Sequence, residues 1–238
     1  MREKNMLNIL RDSSYTVVLS GTGLMAESGY PLLRDGAESY EIEEQYGSTF
    51  YSARKDLFFR FYKEILLKAV ETPPGDGFYA LKALQDHGLI NSIITRRIAG
   101  LEDRAGCRNV INMKGTVYQN VCPSCGKHYP VEYMKSAKGV PLCEDCLVAI
   151  RPQVCLFGEM IDNGVMTKAA EEVAKAEVLI VLGASLTSPL CSQMIQYYTG
   201  SNLILVSERE HYSDERADII VRGRCDDFLK RLVSELEK

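Results

Sequence analysis

Thr16-Val17-Val18-Leu19-Ser20-Gly21-Thr22-Gly23-Leu24-Met25-Ala26-Glu27-Ser28-Gly29 is a β-branched apolar run that opens onto a glycine turn and then onto a helix start. Residues 16–19 predict a short strand, because stiff branched side chains suit a pleated, buried surface. Gly21-Thr-Gly23-Leu-Met-Ala26 fits the G-x-G-x-x-G/A pattern, whose glycines let backbone N–H groups approach a pyrophosphate at a helix N-terminus. Glycines also occur at tight strand-to-helix turns that bind nothing. The position after the first strand of an alternating pattern favours nucleotide binding, with Gly21, Thr22, Gly23 and Ala26 as candidate contacts. Arg34, beyond the turn, offers a cation for the same phosphates, or is a solvated arginine.

The alternation continues outward from that turn. Residues 50–70 read as helical with Leu57, Phe58, Phe61, Ile65 and Leu66 on one face, and 78–87 as a second helix. Short strands are expected at 90–95, 109–113, 178–182, 203–206 and 218–221, with helices near 167–175, 191–198 and 226–237. Strands that are apolar without alternation and are spaced by helices predict a parallel sheet covered on both faces. Ligands of such sheets bind at strand C-termini. That places Gly183, Ser185, Ser207 and Glu208 at the ligand edge, with Glu208 as an acceptor for ribose hydroxyls or as a charged loop residue.

Two Cys-x-x-Cys clips, Cys122-Pro-Ser-Cys125 and Cys143-Glu-Asp-Cys146, stand 17 residues apart. Four thiolates at that spacing close a tetrahedral Zn²⁺ site between two knuckles. Gly126 after the first clip and Pro141 before the second supply knuckle chemistry. Disulfides or a redox dithiol are the weaker alternatives, since no export signal is seen and neither clip follows a thioredoxin-like strand. A closed four-cysteine site has no position for water, so it folds a module and performs no chemistry. The remaining cysteines, Cys107, Cys155, Cys191 and Cys225, sit in apolar or helical contexts and read as buried free thiols.

The 238 residues are 46% hydrophobic, enough for one large domain with a small appended module. A net charge of −4 argues against a nucleic-acid partner, and the aromatic residues Tyr118, Tyr129 and Tyr133 of the zinc module lack a stacking pattern. The first residues carry charge and no apolar stretch of signal-peptide length, and no segment reaches the roughly 18–20 apolar residues that span a bilayer. A cytoplasmic protein without a membrane partner is expected.

Several stretches resemble the sirtuins in chain order. Gly21-Thr-Gly-Leu-Met-Ala-Glu-Ser-Gly-Tyr-Pro-Leu-Leu-Arg34 is similar to that family's Gly-Ala-Gly-Ile-Ser-Ala-Glu-Ser-Gly-Ile-Pro-x-Phe-Arg. Ile94-Thr-Arg-Arg-Ile-Ala-Gly-Leu101 falls where the family has Thr-Gln-Asn-Ile-Asp-Gly-Leu, and Arg104-Ala-Gly106 continues the likeness. Asn112-Met-Lys-Gly115 stands at a hydrophobic-His-Gly motif. Arg151-Pro-Gln-Val-Cys-Leu-Phe-Gly-Glu159 resembles Arg-Pro-x-Val-x-Phe/Trp-Phe-Gly-Glu, and Gly183-Ala-Ser-Leu186 resembles Gly-Thr-Ser-Leu.

The resemblance implies a Rossmann-type doubly wound sheet that binds NAD, with a smaller discontinuous zinc-and-helix domain. The expected division is 1–34, 71–117 and 149–238 for the NAD-binding domain, and 35–70 with 118–148 for the small one. An acyl-lysine peptide would enter the cleft as an added strand, held by Val154, Phe157, Gly158 and Glu159. The acyl oxygen attacks the ribose carbon in this family, nicotinamide leaves, and a histidine serves as base. Cys225 would border the adenine, and Tyr62 stands where the family's acidic-acyl subclass has the tyrosine of Tyr-x-x-Arg, with Ile65 at the arginine.

The chain departs from the family at the reacting centre. Lys114 replaces the histidine, Arg96-Arg97 replaces the Gln-Asn pair, Ala99 replaces the aspartate, and Met25 replaces a serine. None of the 3 histidines, His87, His128 and His211, sits in a motif position. Lys114 could replace the base, its protonated form disfavoured by Arg96 and Arg97. Alternatively the three cations bind an anion such as a ligand phosphate or a substrate carboxylate, or the arginines face solvent or pair with Glu102 or Asp103. The readings in play are a deacylase with Lys114, Arg96 and Arg97 at its centre, an ADP-ribosyltransferase of the same fold, and a silent sensor of NAD or ADP-ribose.

Overall fold

A computed structural model describes residues 2–30, 44–67 and 70–238. Its centre is a six-stranded sheet in the order β3-β2-β1-β7-β8-β9. The strands are β1 (Thr16–Ser20), β2 (Ser92–Thr95), β3 (Val110–Asn112), β7 (Val178–Leu182), β8 (Asn202–Ser207) and β9 (Ile219–Arg222). Every neighbouring pair is parallel. The chain winds outward one way from β1 to β3 and the other way from β7 to β9, so the order reverses between β1 and β7. That reversal opens a crevice at the strand C-termini, where ligands of doubly wound sheets bind.

Both faces of the sheet are covered, and the period-2 alternation of strand side chains shows how. Val18, Ile93, Ile180 and Ile204 pack on one face with Phe78, Leu81 and Leu84 of α5 (Asp76–Asp86) and Phe228, Leu229 and Leu232 of α10 (Cys225–Leu236). Val17, Leu19, Ile94, Leu179, Val181 and Leu205 point to the other face, against Ala169 and Val173 of α8 (Asn163–Lys175) and Met194 of α9 (Pro189–Met194). An element that the pattern reading did not anticipate, α1 (Arg2–Asp12), adds Met6, Leu7 and Leu10 to the first face. Its charged residues dilute the apolar signal, which rests on one narrow stripe.

The smaller unit has a three-stranded antiparallel sheet in the order β5-β4-β6, from β4 (Gly115–Val121), β5 (His128–Tyr129) and β6 (Arg151–Val154). The sheet begins at Gly115 and includes Arg151–Val154, so it crosses the division expected at 118 and 148. Val117, Ile150 and Val154 join one core with Phe58, Phe59, Tyr62, Tyr129 and Met134. The helical run expected over 50–70 is divided into α3 (Ser48–Ala53), α4 (Lys55–Phe61) and a π-helical stretch, Tyr62–Leu67. The break falls at Arg54, whose φ of −137° and ψ of 59° leave the helical region. Among the described residues no helix is long and apolar enough to cross a membrane.

Candidate functional site

The glycine turn is built by backbone packed against backbone. It leads from β1 into α2 (Thr22–Glu27), and the N–H groups of Gly21 and Gly23 donate to the carbonyls of Leu182 and Gly183, each at 2.8 Å. A Cβ on Gly23 would lie 2.6 Å from Gly183 Cα, and one on Gly21 would lie 2.6 Å from Ala184 Cβ. Gly183 itself has φ +59°, the left-handed region that favours glycine. The glycines therefore let the β1 turn sit on the end of β7. Their own N–H groups are consumed there. Ala26 is exposed on the same helix, Met25 is buried, and Arg34 lies outside the described residues.

Glu27, which the sequence reading quoted only as part of the signature, ties the turn to the far end of the chain. Its carboxylate accepts the N–H groups of Cys225 at 2.9 Å and Asp226 at 2.7 Å, the first residues of α10. A carboxylate at a helix start satisfies orphan donors and complements the helix dipole. Cys225, expected beside the adenine, turns its thiol inward to the Val206 carbonyl at 3.8 Å, and burial raises its pKa.

The expected cations leave the ends of β2 and β3 in separate directions. Arg97 Nη2 donates to Thr22 Oγ1 at 3.1 Å, which brings the guanidinium onto the glycine turn. Arg96 Nη1 donates to the Pro189 carbonyl at 3.0 Å and to Gln193 Oε1 at 2.8 Å, on the β7 side of the crevice. Lys114 Nζ lies 5.0 Å from the centre of the Phe157 ring. Burial pushes up the Cys155 thiol, and the charges of Lys114 and Arg96 oppose that shift, so both cations act on this thiol. Of the acids considered as partners, Asp103 accepts from Asn112 Nδ2 at 2.9 Å. Glu102 is 2% exposed, and burial raises its carboxyl against the Ser20 and Thr95 hydroxyls.

Lys114 and the segment Val154–Glu159 are held as a unit. The Lys114 carbonyl accepts the Cys155 N–H at 2.9 Å. Gly115, at φ +71°, lies so close to β6 that a Cβ would be 1.9 Å from the Gln153 carbonyl oxygen. Phe157 exchanges backbone hydrogen bonds with the start of α3 and the residues before it, donating to Tyr46 O at 3.2 Å and accepting from Ser48 N at 2.9 Å. Glu159 takes Arg151 Nη2 on both oxygens, at 2.7 and 2.8 Å, and the Leu156 N–H at 2.8 Å. Gly158, at φ +84°, makes that return possible. Glu159 thus braces the segment from within. Tyr62 is 0% exposed and stacks on Phe58 at 5.8 Å, in the core of the small unit.

On the β7–β8 side, Ser185 Oγ lies 2.9 Å from Thr187 Oγ1 and 3.3 Å from His211 Nδ1. Ser207 Oγ donates to the Arg209 carbonyl at 3.0 Å, closing the turn after β8 that carries Glu208.

The four-cysteine site is complete. The Sγ atoms of Cys122, Cys125, Cys143 and Cys146 all lie within 4.8 Å of one another, with Cys125 and Cys143 at 3.8 Å. Zn–S bonds of about 2.3 Å in a tetrahedron set S–S edges of about 3.8 Å, so the donor set fits a structural zinc. Tyr129 donates its hydroxyl to Cys143 Sγ at 3.2 Å and pulls that thiol down to about 6, favouring the thiolate a metal needs. The Tyr129 oxygen in turn accepts the Glu144 N–H at 2.9 Å.

Comparison with known proteins agrees with this arrangement. The Sir2 family model matches residues 21–189. An NAD-dependent protein deacetylase of Thermotoga maritima is 31% identical over 99% of this chain and 98% of its own length. An NAD-dependent protein deacylase of Archaeoglobus fulgidus is 30% identical, with 99% and 98% covered. Among solved structures, a Sir2–p53 peptide–NAD+ complex superposes with a TM-score of 0.84 at 31% identity, covering 100% of this chain and 99% of that one. A Sir2 bound to acetylated peptide gives 0.83 at 30% identity, with 100% and 99% covered. With a switch-point crevice, a four-cysteine ribbon and a matching signature running through both, the chain belongs to the Sir2 family, the sirtuins.

Proposed function

We propose that this sirtuin is an NAD-dependent protein lysine deacylase in which Lys114 takes the place of the histidine base. The position of Lys114 carries the proposal. It is locked between the crevice and the Val154–Glu159 segment by its own carbonyl and by the forced close approach of Gly115 to β6. The relatives named above are NAD-dependent protein deacetylases or deacylases, and solved neighbours hold NAD and peptides. Here NAD would be held by the Gly21-Thr22-Gly23 turn, Ser185, Ser207 and Glu208. When bound, it supplies an electrophilic ribose carbon with nicotinamide as leaving group.

The chain's own part is binding, orientation and proton transfer. The outer edge of β6 takes the acyl-lysine peptide as a further strand, since β6 ends its sheet among the described residues. Arg97, hydrogen-bonded to Thr22, draws anionic oxygens to the start of α2. Lys114 Nζ, held over the Phe157 ring, is the proton acceptor. The test is nicotinamide release from NAD in the presence of acyl-lysine peptides. Lys114→Ala is expected to slow it by about 10²–10⁴-fold, the usual contribution of a positioned base. Release that survives the substitution would sink the lysine-base reading.

A second reading, a sensor that binds NAD or ADP-ribose without turnover, draws on Ala99. It is 1% exposed and offers no polar side chain where the family has an aspartate. Tight ADP-ribose binding without nicotinamide release, with any acyl peptide or protein acceptor, would favour the sensor. Transfer of ADP-ribose to a protein acceptor would favour the transferase.

A further inference from the structure

His211 belongs to no family motif, yet it reaches the crevice. It follows β8 and folds back onto Ser185, beyond the end of β7, with Nδ1 3.3 Å from Ser185 Oγ. Nδ1 accepts the Ser213 N–H at 3.2 Å and lies 2.7 Å from Ser213 Oγ. In the neutral ring an accepting Nδ1 puts the proton on Nε2. Among the described residues Nε2 makes no hydrogen bond, so this N–H is an available donor. The ring is braced against Tyr212, with centroids 4.2 Å apart.

The surroundings complement an anion. The hydroxyls of Ser185, Thr187 and Ser213 form one connected cluster with the imidazole. The Asp214 carboxylate is already used: it accepts Arg222 Nη2 at 2.6 Å and the His211 N–H at 3.0 Å. Ser185 is two residues past Gly183, whose backbone abuts Gly23, so the cluster and the glycine turn line the same wall. Ser207 and Glu208 lie farther along, at the end of β8.

We infer that His211 donates from Nε2 to a phosphate oxygen on the adenosine side of the bound dinucleotide, making it a specificity-determining residue for phosphorylated over unphosphorylated adenosine ligands. The inference rests on the NAD-binding reading of the crevice. Titration calorimetry with ADP-ribose, AMP and adenosine tests it on the full chain and on His211→Asn. Asparagine keeps an acceptor for the Ser213 N–H but lacks the distal donor, so the thermal midpoint stays near that of the unsubstituted protein. Affinity for ADP-ribose and AMP falls about tenfold, the scale of one hydrogen bond to a charged group, while adenosine binds as before.

Unchanged ADP-ribose affinity in His211→Asn, or an equal loss for adenosine, would overturn the inference while leaving the NAD reading intact. An unsubstituted protein that binds neither ADP-ribose nor AMP would overturn both. His211→Ala separates the capping role, because it lowers the thermal midpoint as well as the affinity.

Discussion

The zinc ribbon and the strand-end crevice both start from short motifs, but they are assembled differently. The ribbon draws its ligands from Cys122 to Cys146, and Tyr129, the hydroxyl that supports Cys143, lies between the same clips. The crevice draws Gly21–Gly23, Arg96, Arg97, Lys114, Gly183, Ser185 and His211 from strand ends far apart in the chain. A local site is specified by spacing. A dispersed one depends on how the sheet orders its strands.

Removing the metal breaks the comparison most sharply. Cys143→Ser, or chelation, removes a structural zinc whose binding energy is on the order of 10 kcal/mol of folding energy. The small unit is expected to lose its ordered aromatic core, seen by near-ultraviolet circular dichroism together with loss of bound zinc by elemental analysis. ADP-ribose binding to the sheet domain should persist; its disappearance would show that the two regions fold as one. Next in size, Gly23→Ala places a Cβ 2.6 Å from Gly183 Cα, a backbone that cannot give way. A destabilisation of about 1–3 kcal/mol in denaturant melts is expected, together with weaker ADP-ribose binding. Full retention of both would mean that the turn has room the packing denies. Smallest, Glu27→Ala frees the Cys225 and Asp226 N–H groups and should cost about 1 kcal/mol in the same melts. A change within error would show that α10 does not need this cap.

Much of the sheet was legible because its strands are continuously apolar. Residues 178–182 were expected as a strand and form β7, Val178–Leu182, since strands buried on both faces leave no polar residue to blur their ends. The small sheet was harder. In β4 buried and less buried residues mix, and Asn120 is fully buried among them, so no clean period marks the strand. Its start at Gly115 is a matter of contact with β6. In the crevice, the motif reading found the glycines but assigned their N–H groups to a ligand. The carbonyls of Leu182 and Gly183, distant in sequence, take them instead. Glu27 and His211 have no role legible in sequence, because a single acid or histidine has no spacing signature; their partners, Cys225 and Ser185, are brought near by the fold.

By itself the chain determined the doubly wound class, the zinc ligands and the family, because each is written in residue types at short spacing or in long apolar periodicity. Tertiary structure alone decided where the charges go. It sends Arg97 to Thr22 and Arg96 to α9, sets Lys114 over Phe157, and turns Glu159 inward onto Arg151. Long polar side chains have many rotamers of similar energy, and the choice among them depends on partners that only the folded sheet supplies.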